Sequence, residues 1–316
     1  MMSIKNYFKV LRPGLNTTFQ DTGRKNLNHI GIPISGAMDK RNFLLANKLV
    51  GNNDKTTLEF AYQGPALKYF GKEIFVAVSG NVNFNIIRNN KSENGNCYQT
   101  YNLKHNDEID IISTINSVYG YLSINNGFKT DMFFESSSTN TKAGVGGNNG
   151  VKLKSDDIIN INKIIYSSSI KKINYLNSKI EFLRIIKGPH YNYFDKNSKI
   201  NLFSKSFEIT KLTDRMGMRI NGPKLKNIVS TNIKSEGIVK GVIQVPPDGD
   251  PIIMLSDHGT IGGYPKIANV ISADYDRLVQ LSPGTKIKFK EIDLKEAENL
   301  YYLYNLETQN LLNQIN

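Results

Sequence analysis

Residues 57–90, TLEFAYQGPALKYFGKEIFVAVSGNVNFNIIRNN, decide the fold class. Leu58–Tyr62, Leu67–Phe70, Ile74–Ser79 and Val82–Arg88 are short β-rich runs, separated by the turn signals Gly64-Pro65, Ser79-Gly80-Asn81 and Asn89-Asn90. Spacing this tight leaves no room for crossover helices. Downstream, Cys97–Leu103, Ile109–Ser113 and Val118–Ile124 continue the pattern; upstream, Tyr7–Leu11 and Leu15–Gln20 begin it. Strands at this density predict a barrel or sandwich rather than a βαβ layout. One helix interrupts them. Asp39 is a good N-cap for Lys40–Val50 and Gly51 a good stop, with Phe43, Ala46, Asn47 and Val50 on one face.

Composition bounds the rest. A chain of 316 residues buries one large core or two. With 39% hydrophobic and 22% charged residues it is an ordinary globular protein, not a disordered one. No apolar run approaches the roughly 20 residues that span a bilayer, and Met1–Tyr7 lacks the apolar core of an export signal. The single Cys97 excludes an internal disulfide and any multi-cysteine metal site, which fits a cytoplasmic protein without a metal; Cys97 itself reads as a strand residue. The formal charge of +12 invites a nucleic-acid partner. The lysines are scattered rather than clustered, however, and no nucleic-acid-binding motif appears, so the charge reads as solvated surface.

A short pattern recurs. LKHNDEIDI (103–111), LKSDDIINI (153–161) and LSPGTKIKF (281–289) are each a turn feeding an alternating strand. Recurrent hairpin grammar accounts for them, as does a duplicated barrel with a copy near the end of each half. The polar stretch Tyr166–Lys179 is the expected junction, giving halves 1–170 and 171–316. Ser136–Gly150 looks like a phosphate loop. The spacing Gly144-x-Gly146 nevertheless requires glycine or alanine where Asn149 stands, and no Gly-Lys-Ser/Thr follows. A mobile Ser/Gly loop beside a site is the reading that remains. In the second half, Ile180–Ile186 and Phe207–Leu212 read as strands, and Leu294–Leu312 as an amphipathic helix presenting Ala297, Tyr301 and Tyr304.

Two segments concentrate chemistry. In Ser235–Asp274, the apolar runs Gly237–Val245 and Pro251–Leu255 flank Pro246-Pro247-Asp248-Gly249, which predicts a hairpin with a rigid tip. Beyond it, Asp257–Lys266 (DHGTIGGYPK) sets polar groups around three glycines: either backbone that approaches a ligand or a tight surface connection. In Thr213–Pro223, Asp214 and Arg215 either position a carboxylate ligand, because guanidinium is a two-pronged donor, or pin a turn.

LRPGLNTTFQDTGR (11–24), GIPISGAMD (31–39), STNTKAGVGGNNG (138–150), TDRMGMRINGP (213–223) and the whole of 235–274 resemble the allophanate hydrolase subunit 2 family. That family is also called the biotin-dependent carboxyltransferase subunit, or the C subunit of 5-oxoprolinase. The resemblance covers nearly the whole chain. It implies a mainly β fold of two cyclophilin-like β-barrel halves with a few short helices. It implies a partner too, the 5-oxoprolinase B subunit, an allophanate hydrolase subunit 1-like protein, with the active site in the cleft between them. In one branch the 5-oxoprolinase A subunit joins them for ATP-dependent opening of 5-oxo-L-proline to L-glutamate. In another the related domain moves a carboxyl group from carboxybiotin to urea; a further branch is associated with regulation of a sporulation kinase. The 5-oxoprolinase branch is the leading expectation, with the chain inactive alone. Carboxylation of urea or a related amide and a non-enzymatic module binding the B subunit are the alternatives.

No Met-Lys-Met attachment site is present, so any biotin arrives on a separate carrier, and ATP is expected to act through the complex. Either branch must stabilise negative charge on an amide or ureido oxygen. The expected donors are the Gly262 and Gly263 backbone N–H groups, the Arg215 fork and the Lys266 charge. Tyr264 offers a hydroxyl or stacking face, and Gln244 faces the same cleft. Asp214, Asp248 and Asp257 are candidates to orient the cations or serve as general base. His258 stands where an arginine is frequent in the family, which weakens any permanent cation there.

Overall fold

The computed structural model describes residues 5–163, 170–175 and 180–315; of the expected junction, 166–169 and 176–179 lie outside the described residues. Contacts divide the chain into two compact units, each discontinuous in sequence. The first comprises Met1–Arg24, Ser35–Asn177 and Thr308–Asn316; the second comprises Lys25–Ile34 and Ser178–Glu307.

The first unit is built from two antiparallel sheets. One has six strands, in the order Ile158–Asn160, Tyr7–Arg12, Ala66–Phe70, Glu108–Thr114, Val82–Arg88 and Lys91–Asn94. The other has five, in the order Asn16–Gln20, Thr57–Ala61, Tyr119–Ile124, Ile74–Ser79 and Thr100–Leu103. Phe8, Val10, Phe84 and Ile109 from the first sheet meet Phe19, Leu58, Val76 and Leu122 from the second in one core. Thr57–Ala61 and Tyr119–Ile124 are buried along their whole length. Helix α1 (Lys40–Leu49) covers the second of these strands, packing on Tyr119–Ile124 and on Ile74–Ser79. Its N-cap is Asp39, whose side chain accepts the Asn42 N–H.

The second unit holds an eight-stranded sheet. Its order is Lys286–Ile287, Phe207–Thr213, Gly217–Asn221, Ile252–Met254, Val242–Gln244, Lys266–Val270, Leu183–Lys187 and Phe289–Glu291. The strands at the two ends of this order are consecutive in the chain, separated only by Lys288. The sheet therefore curls until its edges are nearly joined, which removes most of its free edge. The mainly β, barrel-like class expected from the sequence holds. Helices α2 (Lys196–Ser204) and α3 (Ser272–Val279) belong to this unit, as does α4 (Leu294–Gln314) up to Glu307, its remaining residues counting with the first unit; α4 is 21 residues long and so not short. In α4, Ala297, Leu300 and Tyr304 pack against Ile271, Ala273 and Ile292. Tyr301, expected on that face, is 40% exposed instead.

The recurrent pattern is one backbone device used three times. In each copy an N–H closes back on the carbonyl three residues earlier: Asp107 on Lys104, Asp157 on Lys154, Thr285 on Ser282. The residue before that closure has positive φ, at +73° for Asn106, +67° for Asp156 and +88° for Gly284. That residue's N–H then donates to a strand carbonyl, and the same strand residue donates back to the next carbonyl. The strand residues are Tyr69, Val10 and Ile209 respectively.

Two expectations need correction. The run Gly237–Val245 is not one strand: a turn closed by Val242 N–H on the Val239 carbonyl splits it, and Glu236–Gly237 pairs with Ile261–Gly262 instead. Cys97 lies in a turn rather than in a strand, with Sγ 3.2 Å from the Val82 carbonyl. Burial pushes its thiol up to about 11, so it is not a thiolate nucleophile at neutral pH.

Candidate functional site

The site residues of the second unit are placed by four short strands. Gln244 pairs with Ile252 on one side and Lys266 on the other, while Gly217 pairs with Met254. The chain leaving Met254 must therefore travel back along the ladder before it re-enters at Lys266. Residues 255–265, the glycine-rich segment, make that return, and Ile261–Gly262 pairs with Glu236–Gly237 on the way.

Lys266 is the centre of one cluster. Its side chain is only 5% exposed, and Nζ donates to Glu236 Oε2 at 2.7 Å. Its backbone N–H donates to His190 Nδ1 at 3.2 Å, and the His190 N–H donates to the Lys266 carbonyl. Gly188 permits this approach, since a Cβ there would lie 2.3 Å from the Lys266 carbonyl oxygen. Burial lowers the His190 pKa, and although Glu236 opposes the shift, Lys266 adds to it, so the ring is neutral at neutral pH. With Nδ1 accepting, the ring proton sits on Nε2, 3.7 Å from the same Glu236 oxygen. The Lys266 hydrogen bond holds the Glu236 carboxyl below its usual range. Gln244 is buried beside them, donating through Nε2 to the Tyr264 carbonyl at 3.2 Å. A Cβ at Gly262 would stand 2.4 Å from Ile238 Cδ1 and 2.8 Å from Gln244 Nε2, so any larger residue there would push both side chains aside. The Gly263 carbonyl accepts the Ile233 N–H, and the Tyr264 side chain is partly exposed.

Lys266, Gln244, Gly262, Gly263 and Tyr264 are thus brought together. Glu236 and His190 join them, and sequence reasoning gave neither a role. The available signals were Ser235-Glu236-Gly237 at the head of the richest motif and the Gly188-Pro189-His190 turn.

Arg215 and Asp257 form a second cluster. Nε donates to Oδ2 at 2.9 Å and Nη2 to Oδ1 at 3.1 Å, with both residues buried. The Asp257 N–H also donates to the Arg215 carbonyl at 2.8 Å. The fork expected to meet a ligand is engaged with Asp257, which orients it. Next door, His258 is 3% exposed, with Nδ1 2.6 Å from the Gly259 carbonyl. A carbonyl only accepts, so Nδ1 carries the proton. Burial lowers the pKa of this ring, and Lys240 adds to the effect. No permanent cation stands at this position.

The remaining candidates are elsewhere. Asp248 pairs with Arg219 at 2.6 Å on the exposed hairpin tip, and this bond lowers its pKa. Asp214 caps its own turn, its Oδ1 accepting the Met216 and Gly217 N–H groups. In the first unit, the Ser/Gly segment 136–150 is not an open loop at its start: Ser136, Ser137, Ser138, Thr139 and Asn140 are buried. They wrap the carboxylate of buried Asp21, which accepts from Ser136 Oγ at 2.7 Å, Ser137 N–H at 2.6 Å and Ser138 Oγ at 2.5 Å. Arg24 adds a 2.5 Å bond to the Ser138 carbonyl. Among the described residues no group of three His, Cys, Asp or Glu is arranged to hold a metal, and no helix is long and apolar enough to cross a membrane.

Comparison with known proteins gives the family. The profile of the carboxyltransferase domain, subdomain A and B, matches residues 30–291. The chain is 30% identical to the C subunit of 5-oxoprolinase from Escherichia coli (strain K12) over 92% of each protein. It is 32% identical to the C subunit of 5-oxoprolinase from Haemophilus influenzae over 90% of each. The crystal structure of the K. lactis urea amidolyase superposes with a TM-score of 0.87 at 27% identity, covering 98% of this chain but 20% of that one. The chain belongs to the family of the carboxyltransferase domain, subdomain A and B.

Proposed function

We propose that this chain is the C subunit of a heteromeric ATP-dependent 5-oxoprolinase, forming one wall of the active-site cleft with the B subunit and acting with the A subunit. The observation that carries the reading is the match to the 5-oxoprolinase C subunit along 92% of both chains. The chemistry of the Lys266 cluster supports it. Ring opening of 5-oxo-L-proline develops negative charge on the amide oxygen, and the substrate also bears a carboxylate. The buried Lys266 ammonium, with the His190 ring beside it, offers a charge-assisted donor for that carboxylate and so positions the ring amide for attack. Gln244 is held beside them by Tyr264 and adds a neutral amide. ATP supplies the driving force through the complex. The second reading, transfer of a carboxyl group from carboxybiotin to urea or a related amide, is favoured by the structural match to the urea amidolyase. There the biotin is on a separate carrier, and the same Lys266 and His190 donors fit its carboxylate.

Co-expression with the A and B subunits is expected to give glutamate release that needs both 5-oxoproline and ATP, while this chain alone gives none. Lys266→Ala is expected to lower that turnover by about 100-fold, as misplacement of a bound substrate does, with the complex intact on gel filtration. Glutamate formation by the other two subunits without this chain refutes the assignment. A stable complex with the B subunit and no catalytic gain on reconstitution points to a regulatory binding module instead.

A further inference from the structure

Lys266 and Glu236 are an unequal pair, with side-chain exposures of 5% and 49%. A buried ammonium needs an anion or equivalent acceptor. A half-exposed carboxylate, by contrast, gains little from the contact because water solvates it well. His190 Nε2 lies 3.7 Å from the same carboxylate oxygen that Lys266 Nζ bonds at 2.7 Å, so two buried nitrogens flank one oxygen of a surface residue. Glu236 also rides on a lightly held strap. Residues 234–237 are exposed, and the contacts are the Ile233 N–H to the Gly263 carbonyl, the two-residue ribbon with Ile261–Gly262, and the Ile238 N–H to the Thr260 carbonyl. Ile238 is the buried anchor at its end.

We propose that Lys266 Nζ and His190 Nε2–H form an anion subsite for a small carboxylate, and that Glu236 is its built-in competitor, displaced when the ligand's carboxylate enters. No covalent bond changes. One carboxylate faces the ammonium before and after, and the released Glu236 side chain passes to water. The identity of the natural carboxylate, that of 5-oxoproline, rests on the proposed function; the exchange itself does not.

The test uses the full chain labelled with [15N]histidine, titrated with acetate near neutral pH at constant ionic strength and followed by NMR. Acetate is expected to move the His190 Nε2 signal and leave His258 unmoved. Glu236→Gln, which keeps the size and removes the charge, is expected to bind acetate about fivefold tighter, the scale of a surface ion pair. Glu236→Ala guards against an amide that still competes and is expected to shift affinity the same way. Unchanged or weaker binding in both variants, or an unmoved His190 signal, overturns the proposal. If both variants tighten but the reconstituted complex makes no glutamate, the subsite is supported and the 5-oxoprolinase assignment is what fails.

Discussion

Two cation–carboxylate pairs border the same short ladder of the second unit, and they differ in where the carboxylate sits. Asp257 is as buried as Arg215, bonded to both prongs of the guanidinium and again through backbone. Glu236 is half exposed while Lys266 is not, and a single bond joins them. Burying both partners makes a clasp that shapes a loop; burying only the cation makes a counter-ion that can be exchanged. Both lysine and arginine were candidates for the same work from sequence. Their surroundings separate them.

The largest expected effect tests the clasp. Asp257→Ala leaves Arg215 buried without its bidentate partner and is expected to cost about 3–5 kcal/mol in urea unfolding. Glu236→Gln, which removes a charge from a half-exposed side chain that water already solvates, is expected to move the midpoint far less. Equal losses would erase the distinction. A smaller effect concerns His258, whose pKa is depressed by burial. A depressed folded-state pKa means the unfolded chain binds the proton more readily. The stability it contributes is therefore complete above the ordinary histidine value of about 6.5 and is lost as pH falls through the folded value. Melting temperatures measured from neutral to mildly acidic pH should fall more steeply in the parent than in His258→Asn, which keeps a donor for Gly259. Parallel curves would show that His258 does not contribute to the acid loss of stability. The smallest effect belongs to the exposed pair: Asp248→Asn is expected to change unfolding by about 1 kcal/mol or less. A larger loss would place the hairpin tip among the clasps.

Much of the fold was legible because its signals are local. Ile74–Ser79 and Val82–Arg88 have the boundaries their turn residues predict, and α1 begins at the Asp39 cap and ends before Gly51. Helix α3 was not legible: its N-cap is Ile271 with no side-chain bond, and its first turn is anchored by Asp274 gripping Arg184, 90 residues away. Helix α2 is capped by Asp195, whose side chain accepts the Ser198 N–H, but only Ser198 and Leu202 are buried, so no apolar face announced it. The site was legible as a region and not as a set of roles. Glu236 owes its position to the ribbon with Ile261–Gly262, and His190 to its approach to Lys266, 76 residues away. Neither contact has a signature in residue spacing, because long-range pairing creates both.

The three copies of the strand-entry turn have a consequence for how kinship is measured. Asn106, Asp156 and Gly284 are different letters delivering one conformation, and the bonds that follow are made by peptide groups every residue except proline owns. Information stored in the main chain is silent in an alignment. Identities of 30% or 32% therefore record only the part of a shared architecture that side chains happen to spell.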